Sequence, residues 1–298
     1  MSSTETISTR NKGLDGWSDE AILSAFSDGQ ERAVAALRGA HAAIAAAAEA
    51  IADRSGERGR LVYVGAGSSG VIAALDGIEL GGTFGWPDDR VVFVLANGTT
   101  LQPGLAGGPE DDVARAAAEV RALNLDASDS VIAVAASGST PFTLAASEAA
   151  RAAGALTIGI ANNRGTPLLA AVDFPIFLDT GAEVIVGSTR MNAGTAQKAA
   201  LNMLSTLTMI RLGAIYDGMM VNLRIENAKL RRRGVATVMQ ITGAGEQAAE
   251  RALESAAGRI KPAVLMVHGL PPAEAERILA TSKDNLRVAL ATLDERVR

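Results

Sequence analysis

GRLVYVGAGSSG, from Gly59 to Gly70, joins a short β-branched run to a glycine-rich, hydroxyl-bearing loop, and a helical pattern opens directly after it. Leu61 to Val64 reads as a buried strand, and Gly65 to Gly70 as the turn into a helix. Glycine lets backbone approach an anion closely, and the free N–H groups of a helix N-terminus favour negative charge. The same string satisfies G-x-G-x-x-G, the dinucleotide fingerprint, which calls for a carboxylate about 20 residues on, at the end of the second strand. That strand ends Ala96-Asn97-Gly98. The missing carboxylate and the hydroxyls of Ser68 and Ser69 favour a phosphate over NAD, and a tight turn without ligand stays open beside it.

Outward from this loop, β-branched runs alternate with helical ones. Strands are expected at Leu61 to Val64, Val91 to Ala96, Ser130 to Ala135, Ala155 to Ile160 and Phe174 to Leu178. Helices are expected at Val71 to Leu80, Asp111 to Leu123, Pro141 to Ala153 and Pro167 to Ala171, with a long one from Met191 to Leu212. Such alternation predicts an α/β fold with a parallel sheet covered by helices on both faces. A flexible polar start and two helices, Ser18 to Phe26 and Glu31 to Asp53, precede the sheet. From Val235 the chain reads as a small helical C-terminal domain broken at Gly243 to Gly245 and Pro271 to Pro272, although Ala263 to Val267 fits a strand by composition alone. The expected division is an N-terminal helical segment (1–56), a central sheet domain (57–232) and the C-terminal domain (233–298).

The 298 residues suffice for a sizeable core, and 48% hydrophobic with 20% charged residues is globular, much of the apolar share being Ala. A net charge of -5 gives no general attraction to nucleic acid or anionic membrane, so an anionic ligand needs a local site. With no Cys and only His41 and His268, disulfides, Cys/His zinc sites and cysteine nucleophiles are excluded or unsupported. Met1 to Asn11 lacks the apolar core of a secretory signal, and Ala42 to Ala52 is too short for a bilayer and interrupted by Glu49. A cytoplasmic location is the simplest expectation.

A second loop, Ser137-Gly138-Ser139-Thr140-Pro141, follows the third strand with Thr140 suited to the N-cap and Pro141 to the first helical position. Two hydroxyl-rich loops at the C-terminal ends of parallel strands would meet at one rim, where α/β folds bind ligands. Glu79 stands before Gly81-Gly82, where a helix end would raise a carboxyl pKa and suit a general acid; an exposed, tolerated Glu reads equally well. Glu110, beside Asp111 and Asp112, could be ordinary capping. Ser188, Thr189 and Arg190 could contact an anionic ligand ahead of the long helix, or simply cap it.

The ordered set of strings resembles the N-acetylmuramic acid 6-phosphate etherases of the sugar isomerase (SIS) superfamily: GRLVYVGAGSSG, AASGSTP (Ala135 to Pro141), GAEVIVGSTRMNAGTAQKAALNMLST (Gly181 to Thr206) and Asn227-Ala228-Lys229-Leu230. The resemblance implies an SIS-type parallel-sheet sandwich with a small helical C-terminal domain, and cleavage of the lactyl ether of a sugar phosphate by elimination and hydration in peptidoglycan recycling. It implies Glu79 as acid at the departing ether oxygen and Glu110 as base at C2, or the reverse. Ser68, Ser69, Ser137, Ser139 and Thr140 would surround the phosphate, and Gly67, Glu183, Ser188 and Arg190 would shape the sugar site. It further implies a homodimer with its site near the interface, and no metal or organic cofactor. Departures from the family pattern are Ile78-Glu79-Leu80-Gly81-Gly82-Thr83 for Ser-Glu-Cys-Pro-Pro-Thr, Ser139 for an Arg, and Asn192 for a Lys. A sugar-phosphate sensor and a phosphosugar isomerase are the alternatives within the superfamily.

Overall fold

Five parallel strands carry the sheet, in a chain that runs α1 (Asp19–Ser55), β1 (Leu61–Gly65), α2 (Gly67–Phe84), β2 (Val91–Leu95), α3 (Val113–Ala122), β3 (Ser130–Val134), α4 (Pro141–Ala152), β4 (Leu156–Ala161), α5 (Pro167–Ala171), β5 (Phe174–Phe177) and α6 (Asn192–Arg211). This is a computed structural model that describes residues 3–100, 104–105 and 107–297. Two compact units are present, residues 1–78 with 89–205, and residues 79–88 with 206–298.

In the first unit the strand order is β2-β1-β3-β4-β5. Side chains alternate across a strand, so Val62, Val64, Val131 and Ala133 enter the core under α3, α4 and α5, with Ala116, Val120, Phe142 and Leu168. Leu61, Tyr63 and Ile132, equally buried, point to the opposite face. There Tyr63 bonds Asp76 of α2, and Asp76 bonds Asn202 and Ser205 of α6. α1 packs on β3, β4 and β5. Buried on both faces, β1, β3 and β4 are mostly apolar runs rather than alternating ones, whereas the edge strands β2 and β5 are partly exposed.

The two helices expected before the sheet are one, Asp19–Ser55, capped by Ser18, whose hydroxyl accepts from the Ala21 N–H (3.3 Å). Gly29, the apparent break, is a packing site inside it: a Cβ there would stand 2.5 Å from Asn192 Oδ1 and 3.0 Å from Val184 Cγ2. By length and composition α1 could cross a bilayer; its row Ala33, Leu37, Ala40, Ile44, Ala47 and Ile51 is buried, as in a core helix. Gly29→Ala is expected to cost about 1–2 kcal/mol by overpacking. Gly39→Ala, on the open side of the same helix with nothing within 4 Å, should gain about 0.5–1 kcal/mol. Urea unfolding of the two variants checks the opposite signs.

Three further expectations are corrected. The polar start is ordered: three short 3-10 turns span Ser3–Glu5, Thr9–Asn11 and Leu14–Gly16, and Thr4 is buried. The helix after the first strand begins at Gly67, inside the expected loop, and continues through Gly81 and Gly82 to Phe84. Glu79 therefore does not stand at a helix end, and the dipole argument for it fails. Ala263 to Val267 is helix rather than strand, because tertiary packing overrides β-branched composition.

In the second unit, β6 (Ile215–Tyr216) and β7 (Met219–Met220) form a hairpin that the sequence reading passed over. Its turn is Asp217-Gly218, both at positive φ (46° and 76°), as a two-residue hairpin turn requires. Then follow α7 (Ala228–Thr242), α8 (Glu246–Ser255), α9 (Ile260–Val267), α10 (Pro272–Thr281) and α11 (Leu286–Val297) around Val238, Leu253, Val264, Leu265, Ile278 and Leu286. Lys261, 2% exposed, donates to the carbonyl and carboxylate of Asp284 (2.6 Å each). Burial holds its ammonium below the usual lysine range, with Asp284 opposing.

Candidate active site

β1 and β3 are neighbours, and the chain proceeds outward from them on opposite sides, to β2 and to β4. A crevice forms at such a switch point, beyond the C-terminal strand ends, and both hydroxyl-rich loops leave the sheet there. Gly65 is paired with Val134 across the two strands. The outer glycines of the first loop serve packing: a Cβ on Gly65 would lie 2.8 Å from Gly70 Cα, and one on Gly70 2.9 Å from the Gly65 carbonyl carbon. Gly67 has φ +53°, and its N–H donates to Asn97 Oδ1 (3.3 Å). So Asn97, at the position where a dinucleotide site would carry its carboxylate, steadies the loop instead. Ser69 is buried and Ser68 half-buried in the first turn of α2, where N–H groups lack carbonyl partners within the helix.

In the second loop Gly138 has φ +65° and is packed against Thr166, whose buried hydroxyl has no hydrogen-bond partner among the described residues. Ser139 N–H donates to Ser137 Oγ (3.1 Å), and the Ser137 and Thr140 hydroxyls stand 3.4 Å apart. Thr140 occupies the N-cap of α4, but its hydroxyl makes no capping bond. Ser139 is exposed, and Ser137 and Thr140 are half-buried.

Glu110 lies in a short 3-10 turn, Gly108–Asp111, after β2. It is not the helix cap: Asp112 takes that role, accepting from the Arg115 N–H (3.0 Å). The Glu110 carboxylate comes back to the first loop, with Oε1 2.8 Å from the point a Cβ on Gly67 would occupy. A side chain at position 67 would push it aside. Burial first, and the neighbouring Asp111 second, raise the Glu110 pKa above the ordinary carboxylate value, making it a stronger base when ionised. Arg115 fixes the end of β2 by donating to the Leu95 and Ala96 carbonyls (3.2 and 2.5 Å), and its guanidinium lies 5.0 Å from the Phe142 ring centre.

Glu183 is fully buried and accepts from the Asn192 and Ala193 N–H groups (2.9 Å each), so it holds the start of α6. Burial raises its pKa, and the two N–H bonds oppose the rise. Asn192, at the family's Lys position, is also buried, its amide donating to the Ala182 carbonyl (3.3 Å). Ser188 is half-buried and Arg190 exposed on the loop before α6. Glu79 is exposed in the part of α2 that belongs to the second unit. His41 and His268 are exposed, and among the described residues no three His, Asp or Glu side chains cluster as metal ligands would. Asn97, Thr166 and Arg115 were not singled out from the sequence. An Asn closing β2 was the only local signal among them.

Residues 112–207 match the SIS domain, a span from the cap of α3 into α6. Over 288 residues the chain is 46% identical to N-acetylmuramic acid 6-phosphate etherase from Deinococcus radiodurans, covering 96% of this chain and 94% of that protein. This chain belongs to the N-acetylmuramic acid 6-phosphate etherase family. The etherase of Mycolicibacterium smegmatis is 39% identical over 288 residues, covering 96% of this chain and 97% of its own. Among solved structures, a phosphoheptose isomerase from Francisella tularensis aligns with TM-score 0.45 at 22% identity, over 64% of this chain and 96% of that one. In this member of the etherase family, the first Ser loop and Glu110 lie ahead of the matched SIS span.

Proposed function

We propose that the chain is a carbon–oxygen lyase that cleaves the D-lactyl ether of N-acetylmuramic acid 6-phosphate to N-acetylglucosamine 6-phosphate and D-lactate. The observation that carries this reading is the raised Glu110 carboxylate set against Gly67, beside two hydroxyl-bearing loops at the switch point. Family membership names the substrate. Ser68, Ser69, Ser137, Ser139 and Thr140 hold the phosphate through hydroxyls and first-turn N–H groups, supplying dipoles in place of the family's Arg. Gly67, Ser188 and Arg190 border the sugar.

In the open-chain sugar the C2 proton is α to the C1 aldehyde. Glu110 removes that proton, the C2 electron pair forms a C2–C3 double bond, and the C3–O bond breaks. Glu79 donates a proton to the departing oxygen, which leaves as the lactate hydroxyl. Water then adds, its oxygen to C3 and a proton to C2. These are proton transfers, and no metal or organic cofactor enters. We further read the protein as a cytoplasmic homodimer with its site near the subunit interface, acting in cell-wall amino sugar recycling, with residues 57–232 as the sugar-phosphate domain.

Incubation with the substrate in ¹⁸O-labelled water is the test. Labelled amino sugar phosphate with unlabelled lactate is the expected outcome, because the ether oxygen leaves with lactate. Unchanged substrate, or label in the lactate hydroxyl, would overturn the reading.

A further inference from the structure

Residues 4–11 are tied to two segments that border the candidate site. Thr4 N–H donates to Asn163 Oδ1 (3.3 Å), and Asn163 Nδ2 returns a bond to the Thr4 hydroxyl (2.9 Å). The same Nδ2 donates to the Ala136 carbonyl (2.8 Å), one residue before Ser137 of the second phosphate loop. On its other side, the Thr4 carbonyl accepts from the Gly187 N–H (3.2 Å), one residue before Ser188. Glu5 places its carboxylate over Gly187, Oε2 lying 3.1 Å from the position a Cβ there would take. Asn11 Nδ2 donates to the Val184 carbonyl (3.1 Å), fastening the other end of the same loop. Thr4 is 1% exposed although it stands at the start of the chain.

A segment needed only to finish a core would bury apolar side chains. This one buries a threonine and spends main-chain and side-chain polar groups on loop backbone. Residues 184–190 form no helix or strand, and Ile185 and Val186 are exposed; turns within the loop, such as Ser188 N–H to the Ile185 carbonyl (2.9 Å), set its shape, while the bonds from Thr4 and Asn11 set its place.

We propose that residues 4–11 are a clasp belonging to the site, with Thr4 as a positioning residue. Thr4 sets the 184–190 loop, which borders the sugar, at a fixed place relative to Asn163 and the second phosphate loop, and Glu5 seals the junction over Gly187. This rests on the site reading given above. The clasp acts on the sugar end of the ligand: without the segment Asn163 keeps its bond to Ala136, so the phosphate loop stays in place, whereas Gly187 loses the Thr4 carbonyl as its acceptor.

The test compares the full chain with Thr4→Val, Thr4→Ser and a chain lacking residues 1–8, by lactate release and by competitive inhibition with inorganic phosphate. The truncation should raise KM for N-acetylmuramic acid 6-phosphate about tenfold, and Thr4→Val, which loses the hydroxyl bond from Asn163 but keeps the carbonyl that Gly187 uses, about threefold. The inhibition constant of inorganic phosphate should stay within about twofold, because phosphate alone does not reach the sugar loop. Thr4→Ser, which keeps the hydroxyl, should restore KM. An unchanged KM with a lowered melting temperature would make the segment merely structural and overturn the clasp, as would equal weakening of inorganic phosphate. Loss of folding in the truncation leaves the Thr4→Val and Thr4→Ser pair to decide. Absence of turnover by the unaltered chain would overturn the site reading and the clasp with it, whereas turnover with no KM change removes the clasp alone.

Discussion

Glu110→Gln should lower kcat/KM for N-acetylmuramic acid 6-phosphate by about 10²–10⁴-fold, the usual contribution of a positioned general base. The amide is nearly isosteric and keeps its place against Gly67, so the fold should be retained and the loss should fall on proton abstraction. The pH profile gives a sharper check. A base works ionised, and burial together with Asp111 raises the pKa of Glu110, so activity should fail on the acid side at a higher pH than the ordinary 4.5 of a glutamate would give. Asp111→Asn removes one of the two causes. Its acid limb should therefore move to lower pH, while burial keeps it above that of a free carboxylate. Glu79→Gln, which removes the proposed proton donor, should cost a comparable factor. Stopped assays of lactate release from about pH 4 to 9 would show these effects; an acid limb unmoved by Asp111→Asn, with Glu110→Gln still active, would remove Glu110 from the chemistry.

Asp76→Ala should be the most destabilising single change among those considered, at about 3 kcal/mol. Asp76 is buried in α2 and accepts from Tyr63 OH (2.8 Å), Asn202 Nδ2 (2.7 Å) and Ser205 Oγ (3.0 Å). One carboxylate thus joins the interior strand β1 to α2 and α6. Truncation leaves the fully buried Tyr63 hydroxyl without this acceptor and takes a partner from the half-buried Asn202 amide. Asp76→Asn keeps one acceptor oxygen and should cost about half as much. Tyr63 also sets a limit at high pH. Burial first, then the Asp76 charge and its hydrogen bond, hold the phenol well above its ordinary 10.0. A group raised on folding contributes fully below its unfolded value, so this contribution is whole under pH 10.0 and is lost as pH rises beyond it. Equilibrium urea unfolding measures the losses; a variant as stable as the parent would show that the three donors find other acceptors.

Much of the sheet was legible because its signals are local. Strands buried on both faces must be short apolar runs, and Leu61, Val91, Ser130 and Phe174 begin strands where those runs predict. Thr166-Pro167 and Thr140-Pro141 open helices, since proline suits the first turn. Local signals also misled. Gly29 and the Gly81-Gly82 pair looked like breaks but lie inside helices, where Gly29 makes room for Asn192 and Gly81 for Asp88, whose Oδ1 would stand 2.6 Å from a Cβ there.

The sequence by itself determined the alternation of strands and helices, the absence of cysteine chemistry, and two hydroxyl-rich loops that open helices. Each is written within a few residues, by periodicity, composition or capping. Only the tertiary structure decided that β1 and β3 lie side by side, that Asn97 bonds Gly67, that Glu110 returns to the first loop, and that Thr4 grips Asn163. Those contacts join residues far apart in the chain. They depend on strand order and register, which are settled by burying the whole core together, and no local window contains that balance.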